Sequence, residues 1–320
     1  NASQSRNLLF LAASVAVLAA CGAEEISSPG SGGNISITNN TPAPPPPPPP
    51  PVSTLVTPAA GCPTIDDSAG LTDLGTISGP TGTYRNCGLP SRITRSSKLT
   101  KIPGLLYSLP GRVDVGTDLG ATGGSGVTLT IDPGVVIFGA TGVSWLAVNR
   151  GNKISAVGSA TQPIIFTSRD NVLGLASDTS QGQWGGVVLM GRAPTTDCAV
   201  GTVAANSCER NTEGAADLAR FGGTNSADNS GRISFAQIRY SGFVLGANSE
   251  LQALTLEGVG SGTVLNNIQS HNSSDDGAEF FGGVVNMRYY VATGADDDSL
   301  DVDTGSQTNV QYALFLPRSG

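Results

Sequence analysis

The last third of the chain repeats itself. Asp275-Asp276-Gly277-Ala278-Glu279-Phe280-Phe281-Gly282-Gly283 returns 22 residues later as Asp297-Asp298-Ser299-Leu300-Asp301-Val302-Asp303-Thr304-Gly305. Acid falls on acid at 275/297, 276/298 and 279/301, and apolar on apolar at 280/302. A second family of β-type runs, TVLNNIQSH, NMRYYVATG and NVQYALFLP, sets Ile268, Val291 and Leu314 at even steps of 23, with Ile238 of RISFAQIRYS 30 residues before Ile268. Several short strands in a period of 22 to 23 predict coils stacked about 4.8 Å apart, because one such coil cannot bury its own inward side chains. Stacking also gives every strand backbone partners above and below. The 43 glycines fit the tight turns such coils need, and a charged fraction of only 13% does not suit helices.

The expected fold is therefore all-β. From about residue 111 the chain is a series of short strands broken by Gly, Asn and Asp. Residues 193–230 break the period and read as a looped insertion, and residues 61–110 read as an N-terminal cap or first coil. The run Leu314-Phe315-Leu316-Pro317 closes residues 111–320 without a polar cap, which suggests a truncated C-terminus.

Three earlier segments carry a family resemblance: LTIDPGVVIFG (129–139), ISAVGSATQPIIFTS (154–168) and WGGVVLMGRA (184–193). Asp132-Pro133-Gly134 makes a turn before a strand, Gln162-Pro163 sets a bend, and Gly185-Gly186 permits a corner beside Trp184. With the repeat, these segments resemble bacterial extracellular proteins of the pectate-lyase-like superfamily. The resemblance implies a right-handed, single-stranded parallel β-helix over roughly residues 111–317. It speaks to architecture more than to chemistry.

Residues 8–20, LLFLAASVAVLAA, form an apolar run too short to span a bilayer but suited to a signal peptide (1–20), with Arg6 as its positive flank. The run ends in Leu18-Ala19-Ala20-Cys21, which is similar to the bacterial lipobox and implies a lipidated Cys21 and an envelope address, with the outer membrane favoured by Gly22. Residues 21–60 then form a Gly/Ser/Pro-rich, disordered tether. Its proline run, Pro44 to Pro51, is a stiff spacer of roughly 25 Å. Beyond the leader, Cys62, Cys87, Cys198 and Cys208 are even in number in an exported chain and read as two disulfides. Local pairing, Cys62 with Cys87 and Cys198 with Cys208, closes the shortest loops.

A net charge of −8 repels phosphate backbones and argues against nucleic acid as a partner. The acids of the repeat are the candidate site. Stacked carboxylates repel one another unless something offsets it. Asx turns facing backbone N–H groups are the first assignment, and shared Ca²⁺ held by Asp275, Asp276, Glu279, Asp297, Asp298 and Asp301 is the alternative. Family resemblance also raises a catalytic reading, as a lyase or glycoside hydrolase of acidic glycans, on Asp275, Asp276, Asp298 and His271. Against it, the hydrolases' Asn-Thr-Asp, Gly-His-Gly and Arg-x-Lys patterns are missing, and no motif places the lyases' basic residue. His271 also fits a surface turn, Trp145 and Trp184 fit core or corner packing, and Arg92, Arg95, Lys98 and Lys101 fit a solvated face. The expectation is a non-enzymatic binding or scaffold lipoprotein, held at the membrane by its anchor, with a glycan or an outer-membrane protein as partner.

Overall fold

An inward side chain on one coil needs an apolar neighbour above and below it, and strand pairing supplies both. The computed structural model describes residues 55–246 and 249–318. The signal-peptide run, Cys21 and the proline spacer lie outside the described residues. Those described form a 12-stranded sheet, a 7-stranded sheet, two short two-stranded ribbons and a five-residue helix, Arg169–Leu173. In the two large sheets every pairing is parallel except the first hairpin, Thr72–Gly79 with Gly82–Gly88.

One column runs through the whole 7-stranded sheet. Ile93, Val115, Val148, Leu189, Leu256, Phe280 and Val302 are successive register partners. All but Val302 are fully buried, and each buried side chain of this kind contributes about 1.5–3 kcal/mol of transfer free energy. Alternation places the opposite set, Asp114, Ala147, Val188, Thr255, Glu279 and Asp301, on the outer face of the same sheet.

The 12-stranded sheet is folded into two walls. Lys153–Val157 lies against the first half of Gly231–Arg239 and Ile164–Ser168 against its second half, and Phe235 between them has φ +49°. The same left-handed corner recurs, one above another, at Asn267, Tyr289 and Tyr312. A second stack of corners holds Tyr240, Asn272 and Gly294, and a third holds Gly258, Gly282 and Thr304. A left-handed residue turns the chain within one position. Gly and Asn reach that region at the least cost, which accounts for much of the Gly and Asn content. Each corner also resets the inward–outward alternation, so Ile233 and then Ala236 and Ile238 face the core.

The pairing corrects the even 23-residue spacing. Ile268 pairs with Tyr290, whereas Val291 pairs with Gln269 and Leu314. Ile238 pairs with Ser270, and Ala236 takes the place beside Ile268. The step is 22 from Val264 to Asn286 but 23 from Asn286 to Asn309, because the corner after Asp303 holds one residue more than the corner after Phe281. The acid register behaves otherwise: Glu279 pairs with Asp301 and Phe280 with Val302, as the sequence implies.

Parallel stacking begins before residue 111, since Gly82–Gly88, Arg92–Ile93 and Ser97–Leu99 already pair with later strands. The disulfide Cys62–Cys87 ties the incoming chain to the first of these. After Gly186–Met190 the chain leaves the stack and returns at Gly231. In between lie the ribbon Arg210–Asn211 with Arg220–Phe221 and the Cys198–Cys208 disulfide. Ala219 and Phe221 of this segment cover Trp145, Val188, Met190 and Phe281 on the outer face of the 7-stranded sheet. Arg150 pins the segment down: it donates to Glu209 at 2.8 Å and to the Gly222 carbonyl at 2.9 Å, and is held by Asp118 at 2.6 and 2.8 Å.

Candidate functional site

Beyond the apolar patch covered by Phe221, the outer face of the 7-stranded sheet turns acidic. Glu279 and Asp301 are register partners on successive strands and project from that face. Asp275 and Asp276 lie in the loop that leads into Ala278–Phe281, and Asp297 lies in the equivalent loop one coil on. Carboxylate oxygens of Asp275, Asp276 and Asp297 lie within 4.8 Å of one another, and so do those of Asp276, Glu279 and Asp301. Asp276 belongs to both groups and links them.

Partners for this charge are few. Asp276 Oδ1 accepts from the backbone N–H of Asp298 at 2.9 Å, a bond between coils, and Asp275 Oδ2 accepts from the Gln252 amide at 3.1 Å. The Gln252 amide is itself held by Thr255, whose hydroxyl donates to its carbonyl oxygen at 2.5 Å. Glu279 is only 7% exposed, and its carboxyl makes no hydrogen bond among the described residues. Burial pushes Glu279 up to about 9, and Asp276, Asp301, Asp275 and Glu213 push the same way. Burial likewise pushes Asp276 up to about 7 and Asp275 up to about 6, more than their hydrogen bonds pull them down.

Sequence reasoning missed two acids that face this ladder. Glu213 comes from the inserted segment and Glu250 from Ser249–Glu250, and both act on the cluster electrostatically. A third, Glu257, is buried at the end of Leu254–Glu257, where burial pushes it up to about 8 and the Thr212 hydroxyl donates to it at 2.5 Å. Glu213, inside the inserted segment, is hidden from any reading of the period. Asp275, Asp296, Asp297 and Glu250 also line a shallow pocket with Ser274 and Gln181.

Other candidates separate from the ladder. Asp298 is exposed, belongs to neither carboxylate group, and contributes its backbone N–H. His271 is half-buried within Val264–His271 rather than in a turn: its ring meets Tyr240 edge-on at 5.4 Å, and its Nδ1 lies 2.8 Å from the Thr293 hydroxyl. Burial first, then Arg239 and Arg318, lowers its proton affinity. Trp184 is fully buried and donates to the Arg239 carbonyl, and Trp145 is buried under the Arg112 guanidinium. Among the basic residues of the first coils, Arg92 pairs with Asp114 and Lys98 with Asp132.

Chemically the ladder is an all-oxygen, hard-donor set, the kind that Ca²⁺ takes. It can also hold a proton on one carboxyl beside an ionised neighbour. A model of the pectate-lyase-like β-helix domain matches residues 103–318. No curated protein and no solved structure matches the chain.

Proposed function

The chain belongs to the pectate-lyase-like β-helix domain family, and from that premise we propose that it is a lipid-anchored, extracytoplasmic binding protein of the bacterial envelope. In this reading the acid ladder takes up a divalent cation and, through it, an anionic glycan. The family is shared by proteins of many functions, so the site must carry the argument. The observation that carries it is Glu279: a largely buried residue whose carboxyl makes no hydrogen bond among the described residues, with Asp276, Asp301, Asp275 and Glu213 as charged neighbours. Burying carboxyls together costs free energy unless a proton or a cation offsets it. Asp276, Glu279 and Asp301 would hold the ion, with Asp275 and Asp297 beside them. A bound Ca²⁺ supplies positive charge to which a uronate carboxylate or phosphate can add as a further oxygen ligand.

The finer points of architecture belong to the same reading. Parallel strands joined by crossovers wind right-handed because of the twist of the strands, so the coils form a right-handed solenoid. The run 8–20 is the signal peptide, Cys21 carries the lipid, and the proline run holds the β-helix off the membrane.

Calorimetric titration of the chelator-treated protein with CaCl₂ tests the binding reading. One saturable event is expected in the wild type, lost in Glu279→Gln and in Asp276→Asn. Absence of binding up to about 10 mM Ca²⁺, roughly tenfold above the dissociation constants of the weakest extracellular calcium modules, refutes it. A second reading is favoured by one observation: Glu279, whose burial favours the protonated form, is the register partner of Asp301, and glycoside hydrolases pair a general acid with a carboxylate. New reducing ends from oligogalacturonate, abolished in Glu279→Gln, would establish that reading.

A further inference from the structure

The outer side of the bend between the two walls of the 12-stranded sheet forms a groove of about 550 Å³, away from the 7-stranded sheet that carries the acid ladder. Its floor is built by the stacked left-handed corners Phe235, Asn267, Tyr289 and Tyr312. The Tyr289 and Tyr312 rings are parallel to within 10°, with centroids 5.0 Å apart, and are 48% and 59% exposed. The guanidinium of Arg288 lies 5.8 Å from each ring. Beside them the outward column of the second wall brings in Gln237 and Gln269, which are register partners. The carboxamides of Gln237, Asn267 and Gln269 are half-buried, and none makes a side-chain hydrogen bond among the described residues.

Aromatic residues in a left-handed corner are costly. Bulky side chains are outliers there, whereas Asn267 shows what the backbone prefers at the same place in the stack. Among the described residues no acidic one lines the groove, in a chain of net charge −8. Of the strands flooring it, Gly231–Arg239, Val264–His271 and Asn286–Thr293 are paired on both sides, whereas Asn309–Leu316, which brings Tyr312 and Leu314, pairs with Asn286–Thr293 alone. A neutral sugar chain meets these terms: its C–H faces lie flat on ring surfaces, and its hydroxyls both donate to and accept from free carboxamides.

We propose that the Tyr289–Tyr312 groove, with the carboxamides of Gln237, Asn267 and Gln269, is a binding site for a neutral polysaccharide, independent of the acid ladder.

The test uses the full chain in EDTA and calorimetric titration with hexasaccharides of β-linked glucose, β-linked N-acetylglucosamine and α-linked mannose, with hexagalacturonate in CaCl₂ as a separate arm. The variants are Tyr289→Asn and Tyr312→Asn, chosen because Asn already occupies this corner at 267. Both should melt at or above the wild-type temperature, so lost binding is not lost folding; Gln269→Ala is a third variant that leaves the corner unchanged. Saturable binding of at least one neutral hexasaccharide is expected, weakened at least tenfold by either tyrosine change and measurably by Gln269→Ala. Four results would overturn the proposal. They are no binding across the neutral panel; binding unchanged in both tyrosine variants; binding confined to hexagalacturonate in the presence of Ca²⁺; and, in sedimentation, self-association abolished by the same variants, which would make a second copy the occupant.

Discussion

Replacing Glu279 by Gln isolates the charge that the fold buries. In the folded chain Glu279 keeps its proton up to about pH 9, whereas its ordinary value, reached on unfolding, is 4.5. Between those values unfolding releases a proton, so rising pH favours the unfolded chain, by about 1.4 kcal/mol per pH unit. The penalty is absent below pH 4.5 and grows to roughly 3 kcal/mol by pH 7. Gln has the same shape and cannot ionise. In EDTA the wild type and Glu279→Gln should therefore differ by a small constant at pH 4.5. By pH 7 the variant should have gained on the wild type by about 3 kcal/mol, or roughly 6–12 °C in Tm. Thermal melts followed by circular dichroism at half-unit pH steps give this difference directly. A difference that stays flat from pH 4.5 to 7, or that runs the other way, would refute the burial argument. Adding 5 mM CaCl₂ at pH 7 should narrow or reverse the gap, since a ligand bound only by the folded wild type stabilises it alone.

Other perturbations probe the frame around the site. Arg150→Ala leaves Asp118 and Glu209 without their shared cation and should cost about 2–3 kcal/mol, less than for a fully buried pair because both acids reach solvent. Hydrogen exchange should rise mainly in residues 193–230, and an increase spread evenly over the sheets would contradict the clamp. Phe280→Ala opens a cavity in the central column and should cost about 3–5 kcal/mol by denaturant titration, whereas Val302→Ala, at the exposed end of the same column, should cost under about 1 kcal/mol. Breaking Cys62–Cys87 by a Cys→Ser pair frees a loop of 25 residues, worth about 3–4 kcal/mol on a chain-entropy account, against nearer 3 kcal/mol for the 10 residues of Cys198–Cys208.

The acids at 275, 276, 279, 297 and 301 were legible because their loops and strands keep one step of 22, and side chains at equal positions in stacked coils must meet. The wall strands were legible as a family but not in register. A single left-handed residue at 235, 267, 289 or 312 resets the alternation, and no hydrophobic period shows it when that residue is Phe or Tyr instead of Gly or Asn. The step is 22 from Val264 to Asn286, which sets Val291 beside Gln269, and the extra residue after Asp303 makes the next step 23, which sets Leu314 beside Val291. Glu213 and Glu257 could not be read as parts of the site, because the Thr212–Glu257 hydrogen bond that brings them near crosses from an insertion to the sheet it covers and follows no spacing. The tyrosine groove was hidden for the same reason as the register: without the corners, Tyr289 and Tyr312 look like ordinary alternating strand residues.

Register is what the acid ladder, the core column and the tyrosine stack all depend on, and a cross-link reads it directly. Gln269→Cys with Val291→Cys joins two outward partners on adjacent coils, at a separation suited to a disulfide. Mild oxidation followed by mass mapping should give near-complete bridging in that pair and none in Ile268→Cys with Val291→Cys. Bridging of the second pair and not the first would show that the coils are stacked one residue out of the register described above.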